Sequence, residues 1–310
     1  MTKLCFLVMI VLSPICSAND YEWVKSVQKI SRATFSGVSF STSLTGLIVS
    51  SDGNILRTTN AGGEWSSVYR GKGAWNRIAS RENIFAVIGA GKISVSTDGG
   101  AKFFDSVPSN WVTLKGVDID QGGEIWVCGM IGRIMHARAG STVWIDESLG
   151  RPESLYFIKT LKSGLILAGG RGGLWIRTLE GKWVPSAIKN RSGIIDAAED
   201  FRGETWILAR DRDIASVIRC KDIFRGCEKI SDDEGEFDRL FAGDEDLWLT
   251  GEGGALMRMP KKRPLLQTEK VSENKVNIIA SCLAPDGVVW AVGEKGGIYK
   301  GILKASGAIK

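Results

Sequence analysis

A short pattern, apolar–aromatic–x–x–Gly, returns along this chain at a nearly constant interval, and that interval restricts the folds open to it. It reads Ile125-Trp126-Val127-Cys128-Gly129, Leu247-Trp248-Leu249-Thr250-Gly251 and Val289-Trp290-Ala291-Val292-Gly293. Ile84 to Gly89 is a copy with its aromatic placed early, and Leu165 to Gly169 and Thr205 to Ala209 are weaker copies. The closing small residues fall at 89, 129, 169, 209, 251 and 293, a spacing of 40 to 42. Gly46 to Trp65 supplies an earlier unit: a strand at Leu47–Val49, a turn at Ser51-Asp52-Gly53, a second strand at Ile55–Thr58 and a Gly-rich loop closed by Trp65. That makes seven units.

Two further markers keep step. Gly-x-apolar-x-Arg occurs at 53–57, 173–177 and 254–258, with Gly132 to His136 as a relative. A returning aromatic stands at Trp23, Trp65, Phe103, Trp144 and Trp183. Another apolar run, such as Val117–Ile119 or Ile278–Ala280, precedes each Trp-bearing strand. Each period therefore holds four short strands and no helical pattern, which is the content of a propeller blade. The predicted fold is all-β, a seven-bladed β-propeller. The last unit lacks a fourth strand, whereas Tyr21-Glu22-Trp23-Val24-Lys25 stands ahead of the first with Trp23 in the phase of Trp65. The N-terminal strand, Tyr21 to Val27, is expected to complete the blade of residues 276–303 and leave no open edge.

Residues 1–18 read as a signal peptide: Lys3, an apolar run from Leu4 to Leu12, and small residues Ser17-Ala18 before Asn19. The run is shorter than the roughly 20 residues of a membrane span. Residues 19–310 are thus expected to form one domain, exported to the periplasm or secreted, without an integral membrane segment and monomeric. Loss of Lys3 takes the net charge from +5 to +4 over a mixed surface, which argues against a nucleic-acid partner. Lys261-Lys262-Arg263, between two prolines, reads as a solvated loop. Cys220 and Cys227 flank six residues at a hairpin tip in blade five and are expected to form a disulfide. That link is worth about 2.5 kcal/mol in an oxidising compartment. Cys128 and Cys282, in blades three and seven, are expected to stay buried thiols.

Thr58-Thr59-Asn60-Ala61-Gly62-Gly63-Glu64-Trp65 and Ser96-Thr97-Asp98-Gly99-Gly100-Ala101-Lys102-Phe103 resemble the Asp-box, Ser/Thr-x-Asp-x-Gly-x-x-aromatic, which caps hairpins in several propeller families. Asp98 and Asn60 suit a role accepting backbone N–H bonds inside their turns. With the blade text Gly-x-Ile-x-x-Ser/Thr-x-Asp/Asn, the chain resembles the photosystem II stability/assembly factor family, loosely across residues 21–303. The resemblance implies a non-catalytic, chaperone-like scaffold without cofactor, gripping a protein partner, such as a membrane-protein assembly intermediate, through an arginine-lined face.

The competing class is an Asp-box glycoside hydrolase or glycan-binding propeller. A sialidase needs converging arginines, a Tyr–Glu nucleophile pair and an acidic acid/base. The Arg-Ile-Pro start of that family's first arginine motif is absent, and the only tyrosines are Tyr21, Tyr69, Tyr156 and Tyr299. Carboxylates such as Asp118, Asp120, Asp196 and Asp238 are candidates for a general glycosidase if two of them meet. A single histidine, His136, in the slot of Arg57, Arg177 and Arg258, argues against a catalytic triad or multi-histidine metal site. No catalytic or metal-binding residue is assigned. Loops between the second and third strands share a rim with the interblade connections. The candidate partner-binding residues there are Trp75, Arg77, Trp111, Met130, Arg171, Arg210 and Arg212, with Arg239 just inside on an innermost strand and Lys72, Asp211, Glu252 and Lys295 nearby.

Overall fold

The structure, a computed structural model, describes residues 21–26, 32–89, 91–106, 113–188, 193–251, 254–271 and 277–304. The chain begins with β1 (Tyr21–Lys25) and then forms blade one from β2 (Phe35–Phe40), β3 (Gly46–Ser50), β4 (Asn54–Thr58) and β5 (Ser66–Arg70). Blade two is β6 (Trp75–Arg81), β7 (Ile84–Gly89), β8 (Lys92–Ser96) and β9 (Phe104–Ser106). Blade three is β10 (Leu114–Ile119), β11 (Glu124–Gly129), β12 (Ile134–Arg138) and β13 (Ile145–Asp146). Blade four is β14 (Leu155–Thr160), β15 (Ile166–Gly170), β16 (Gly173–Arg177) and β17 (Trp183–Pro185). Blade five is β18 (Gly193–Glu199), β19 (Thr205–Asp211), β20 (Ile214–Asp222) and β21 (Gly226–Glu234). Blade six is β22 (Phe237–Ala242), β23 (Asp246–Gly251), β24 (Leu256–Pro260) and β25 (Gln267–Glu269), and blade seven opens with β26 (Ile278–Leu283), β27 (Val289–Gly293) and β28 (Ile298–Leu303).

Every blade is a four-stranded antiparallel sheet, and the seventh has the order β1-β28-β27-β26. Tyr21 pairs with Leu303 and Lys25 with Tyr299, so the N-terminal strand closes the ring as its sequence phase predicts. The first strands of neighbouring blades pack on one another around the axis. The signal segment, residue 27 and Trp111 lie outside the described residues.

Each first strand carries a register shift next to its opening residue, as between Leu114 and Gly116. By that register the recurring small residue sits at 89, 129, 209, 251 and 293 as expected, while in blade four it is Gly170 rather than Gly169. Its chemistry is steric. A Cβ at Gly129 would lie 2.2 Å from the Thr113 carbonyl oxygen, and one at Gly251 would lie 1.9 Å from that of Glu236. In these blades the second strand ends against incoming backbone, and only a residue without a side chain tolerates that approach; blades five and one carry the small Ala209 and Ser50 in the slot.

Between blades the core is apolar, mostly aliphatic, with aromatic contacts at particular seams. Phe40 stacks on Trp290 at 4.7 Å, and Tyr21 meets Trp248 edge-on at 4.8 Å. Burial of such rings adds to the aliphatic packing that holds one blade to the next. Several polar groups at the seams are paired. Asp120 accepts the Trp126 indole N–H at 3.1 Å while also accepting backbone N–H groups of Gly122 and Glu124. Asp200 repeats the arrangement with Trp206, Arg202 and Glu204. Lys261 joins it at 2.7 Å, so one residue of the basic cluster is an interblade tie rather than a solvated charge.

Cys220 and Cys227 are bonded, and they face each other across β20 and β21 as the spacing predicts. Cys128 is buried and free, whereas Cys282 is free but half-buried.

The candidate rim and axial channel

Two layers of inner-strand residues line a channel of about 370 Å³ along the ring axis. Register places Arg77, Asp196 and Arg239 at one level, with Asp118 and Lys159 at the next level down. The upper level has more positive than negative charge. Asp196 has its oxygens occupied by the backbone N–H groups of Ala197 and Leu240, each at 2.9 Å. Arg239 donates to the carbonyl oxygens of Ser36 and Asn76 at 3.5 and 3.3 Å.

Enclosure decides the electrostatics here. Burial lowers Arg77 against the pull of Asp196, and burial together with the Arg77 guanidinium brings Arg239 down to about 9. Burial also pushes the Asp196 carboxyl up, opposed by Arg77. Each shift reports the unfavourable transfer of a charged group out of water. Two guanidinium groups and one carboxylate share this level of the cavity, which leaves it with an excess of positive charge. Below it, Asp118 raises Lys159 by direct attraction at 3.5 Å and accepts the Thr160 amide and hydroxyl at 2.8 and 3.0 Å. Asp118 and Asp196 do share the channel, but both serve as backbone acceptors there.

The expected rim residues separate into three groups. Met130 is 43% exposed, and Arg171 and Arg212 are exposed, so all three present their side chains at the rim. Ile131 beside Met130 is 51% exposed at φ 51°, a left-handed turn residue holding an apolar side chain out to solvent. Arg210 is half-buried and pairs with Glu236 at 3.5 Å. Arg77 lies within the channel and not on the rim, and Arg239 lies in the channel on its innermost strand, as expected.

Trp75 requires correction as a surface anchor. It is 1% exposed, its indole donates to the Gly53 carbonyl at 3.0 Å, and Lys92 sits 4.8 Å over its ring. It opens β6 in the slot that Phe35, Leu114, Leu155, Phe237 and Ile278 fill in other blades, all buried. That repeat of apolar residues is the sequence signal that marks it as core. Glu252 is outside the described residues; Lys72 and Lys295 are exposed on the expected side.

Sequence reading did not anticipate the neighbours that give this rim its character. Lys115 lies 5.1 Å over the Tyr156 ring, and Arg151 lies 4.5 Å over Trp175. These pairs flank Met130, Ile131 and Arg171 on blades three and four. The result is a mixed cationic and apolar surface beside the mouth of an arginine-bearing channel.

His136 stands elsewhere. It is 6% exposed on β12, stacked on Trp126 at 4.1 Å, with Glu124 and Glu147 each 3.3 Å from a ring nitrogen. It faces Trp126 as Arg219 faces Trp206, Arg258 faces Trp248 and Lys300 faces Trp290. Arg57 is in the same slot, but Arg177 falls one residue later, opposite Ile166. Among the described residues there is no cluster of three metal-binding side chains and no helix long and apolar enough to cross a membrane.

Comparison with solved structures gives strong likeness of fold at low identity. A streptogramin B lyase superimposes with a TM-score of 0.78 at 14% identity, covering 92% of this chain and 98% of that one. YCF48 bound to a D1 peptide gives 0.70 at 16% identity, with coverage of 93% and 96%. YCF48 from Cyanidioschyzon merolae gives 0.69 at 16% identity, covering 90% of this chain and 98% of that one. No protein-family model matches the chain, and no curated protein matches it. These likenesses establish a seven-bladed propeller whose neighbours include both a peptide-binding protein and an enzyme.

Proposed function

We propose that this protein is a non-catalytic propeller scaffold that holds a protein segment on the rim around Met130, Arg171 and Arg212. An acidic group of that segment would enter the channel mouth toward Arg77 and Arg239. The observation that carries the reading is the placement of those two arginines at one level of the channel, with Asp196 already engaged by backbone amides. Bidentate guanidinium groups in an enclosed site suit carboxylate recognition, and Met, Ile and ring-stacked cations suit the apolar part of an interface. The likeness to YCF48 bound to a D1 peptide agrees with a peptide as the bound class. The Cys220–Cys227 bond agrees with work in an oxidising compartment after export.

A catalytic reading draws on the streptogramin B lyase likeness. A histidine-to-alanine variant of virginiamycin B lyase from Staphylococcus aureus, another structural neighbour, is catalytically inactive. Here the sole histidine is buried on a third strand, off the channel, and Asp118 and Asp196 are tied to backbone N–H groups. The scaffold reading is therefore favoured.

The test reverses charge at Arg171, Arg210 and Arg212 together and cross-links the protein in its native envelope. Loss of the co-purifying partner with an unchanged melting temperature supports the reading. Undiminished capture by the triple variant overturns the choice of rim.

A further inference from the structure

Blade five differs from the other six at its outer edge. Its last strand, β21, runs nine residues, whereas the outer strands of the other blades run two to five. An outer blade strand leaves one row of backbone N–H and C=O groups without a partner strand, and proteins usually keep such edges short. Here the edge is long, and the Cys220–Cys227 bond ties its lower end to the body of the blade.

The charge on this edge is one-sided. Glu228, Asp232, Asp233 and Glu234 stand on it with Lys229 as the sole cation. Beyond Ile230, where a bulge interrupts the register, Ser231 to Glu234 pair regularly with Val217 to Ile214. That upper segment borders an open cavity of about 930 Å³, lined by Asp211, Asp213, Asp232, Glu234 and Glu236 against Arg212 and Lys229. Lys229 is already paired with Asp232, and Asp233 Oδ2 is buried without a hydrogen-bond partner among the described residues.

We propose that β21 is a docking edge for a short extended segment rich in lysine or arginine, added to blade five as a fifth strand. Backbone pairing along Ser231–Glu234 would give the attachment, and the carboxylates of the strand and cavity would select basic side chains. The same charges exclude the commonest unwanted occupant, a second copy of this chain. Antiparallel self-pairing about Ile230 sets Glu228 opposite Asp232 of the other copy, and a parallel pairing sets the Asp232–Glu234 run against itself. Like charges directly opposite are unfavourable in either case. The cavity shares Arg212 with the rim proposed above, but the strand edge itself, Ser231–Glu234, lies on the outer strand of its blade, away from the channel-lining residues, so strand addition does not rest on that reading.

The experiment titrates the full-length protein with a seven-residue peptide alternating lysine and valine, by calorimetry at low salt. The expected result is saturable binding that weakens at least tenfold for Asp232→Lys/Glu234→Lys. It should weaken by a similar factor for a peptide N-methylated at alternate residues along one edge, which keeps its charge but cannot donate to a strand. Wild-type affinity for the N-methylated peptide would overturn strand addition, leaving charge attraction alone. Equal binding of a glutamate–valine peptide would overturn the selectivity. Concentration-dependent dimerisation that the double variant abolishes would assign the edge to a second copy and overturn the proposal. Thermal melts of the double variant close to wild type separate loss of binding from loss of fold.

Discussion

The two rims of this propeller use cations in opposite ways. On the rim of the hairpin turns, Arg57 donates to the Gly99 carbonyl at 2.8 Å, Arg81 to that of Ile119 at 2.8 Å, and Lys261 to Asp200 and Gly243 at 2.7 Å each. These side chains join one blade to the next. On the opposite rim, Arg171 and Lys295 are exposed and make no ion pair among the described residues. On the first rim these cations are tied to the ring itself, while on the second Arg171 and Lys295 face solvent or a partner and Arg210 pairs with Glu236. The hairpin-turn side includes the two Ser/Thr turns. Asp98 accepts the amides of Ala101 and Lys102 at 3.0 Å each, and Asn60 accepts that of Glu64 at 2.9 Å.

The comparison predicts a graded series of effects. The largest belongs to closure of the ring. Removing residues 21–25 should lower the melting temperature by about 10 °C or more and promote aggregation, because β28 loses its partner strand and its edge opens. A calorimetric scan matching that of the full chain would dismiss the closing role of β1. Next comes Asp200→Ala, which strands Lys261 and the Trp206 indole and should cost about 3–5 kcal/mol in denaturant unfolding.

Asp200 also gives a pH signature. Despite its burial, Lys261, Trp206 and the Glu204 amide hold its carboxyl below the usual range. A folded value below the unfolded one, roughly 4, means that its contribution is full above that pH and fades as pH falls through the folded value. Between pH 5 and 3, stability should therefore drop more steeply in wild type than in Asp200→Asn.

Opening Cys220–Cys227 by Cys220→Ala/Cys227→Ala should cost about 2.5 kcal/mol, read from the midpoint of urea unfolding. Asp98→Ala should cost about 1 kcal/mol through its lost turn bonds. The smallest effect should come from Arg171→Glu, within about 0.5 kcal/mol of wild type. A larger loss there would mean that the upper rim is structural after all, and the contrast between rims would fail.

What could be read in advance follows from what repeats. The glycine at 129, 251 and 293 recurs because incoming backbone occupies the space of a side chain, so the steric demand leaves a mark in most copies, with the small residues Ser50 and Ala209 in blades one and five. The closing strand was legible because Trp23 keeps the phase of Trp65. The cysteine pair was legible because its spacing matches a hairpin tip. The channel was harder. Arg77, Asp196 and Arg239 occupy equivalent positions on three different blades, where the other four carry Gly37, Gly116, Phe157 and Ala280. A feature built from exceptions to a repeat is hidden by the averaging that reveals the repeat. Trp75 misled for a related reason: by sequence it follows an exposed connection, but it is the first residue of a buried strand.

The pairing of Tyr21 with Leu303 also bears on how the chain is made. As the chain emerges N-terminus first, six blades can assemble from hairpins between sequence neighbours. The seventh must wait for β26–β28, which emerge after the strands of the other six blades, and β1 must stay available until then. Such a long-range step is slow compared with local hairpin formation. A chain stalled or clipped before β28 therefore keeps β1 and β27 as two unpaired edges. That would mark it as incomplete to any chaperone or protease that surveys exposed strands.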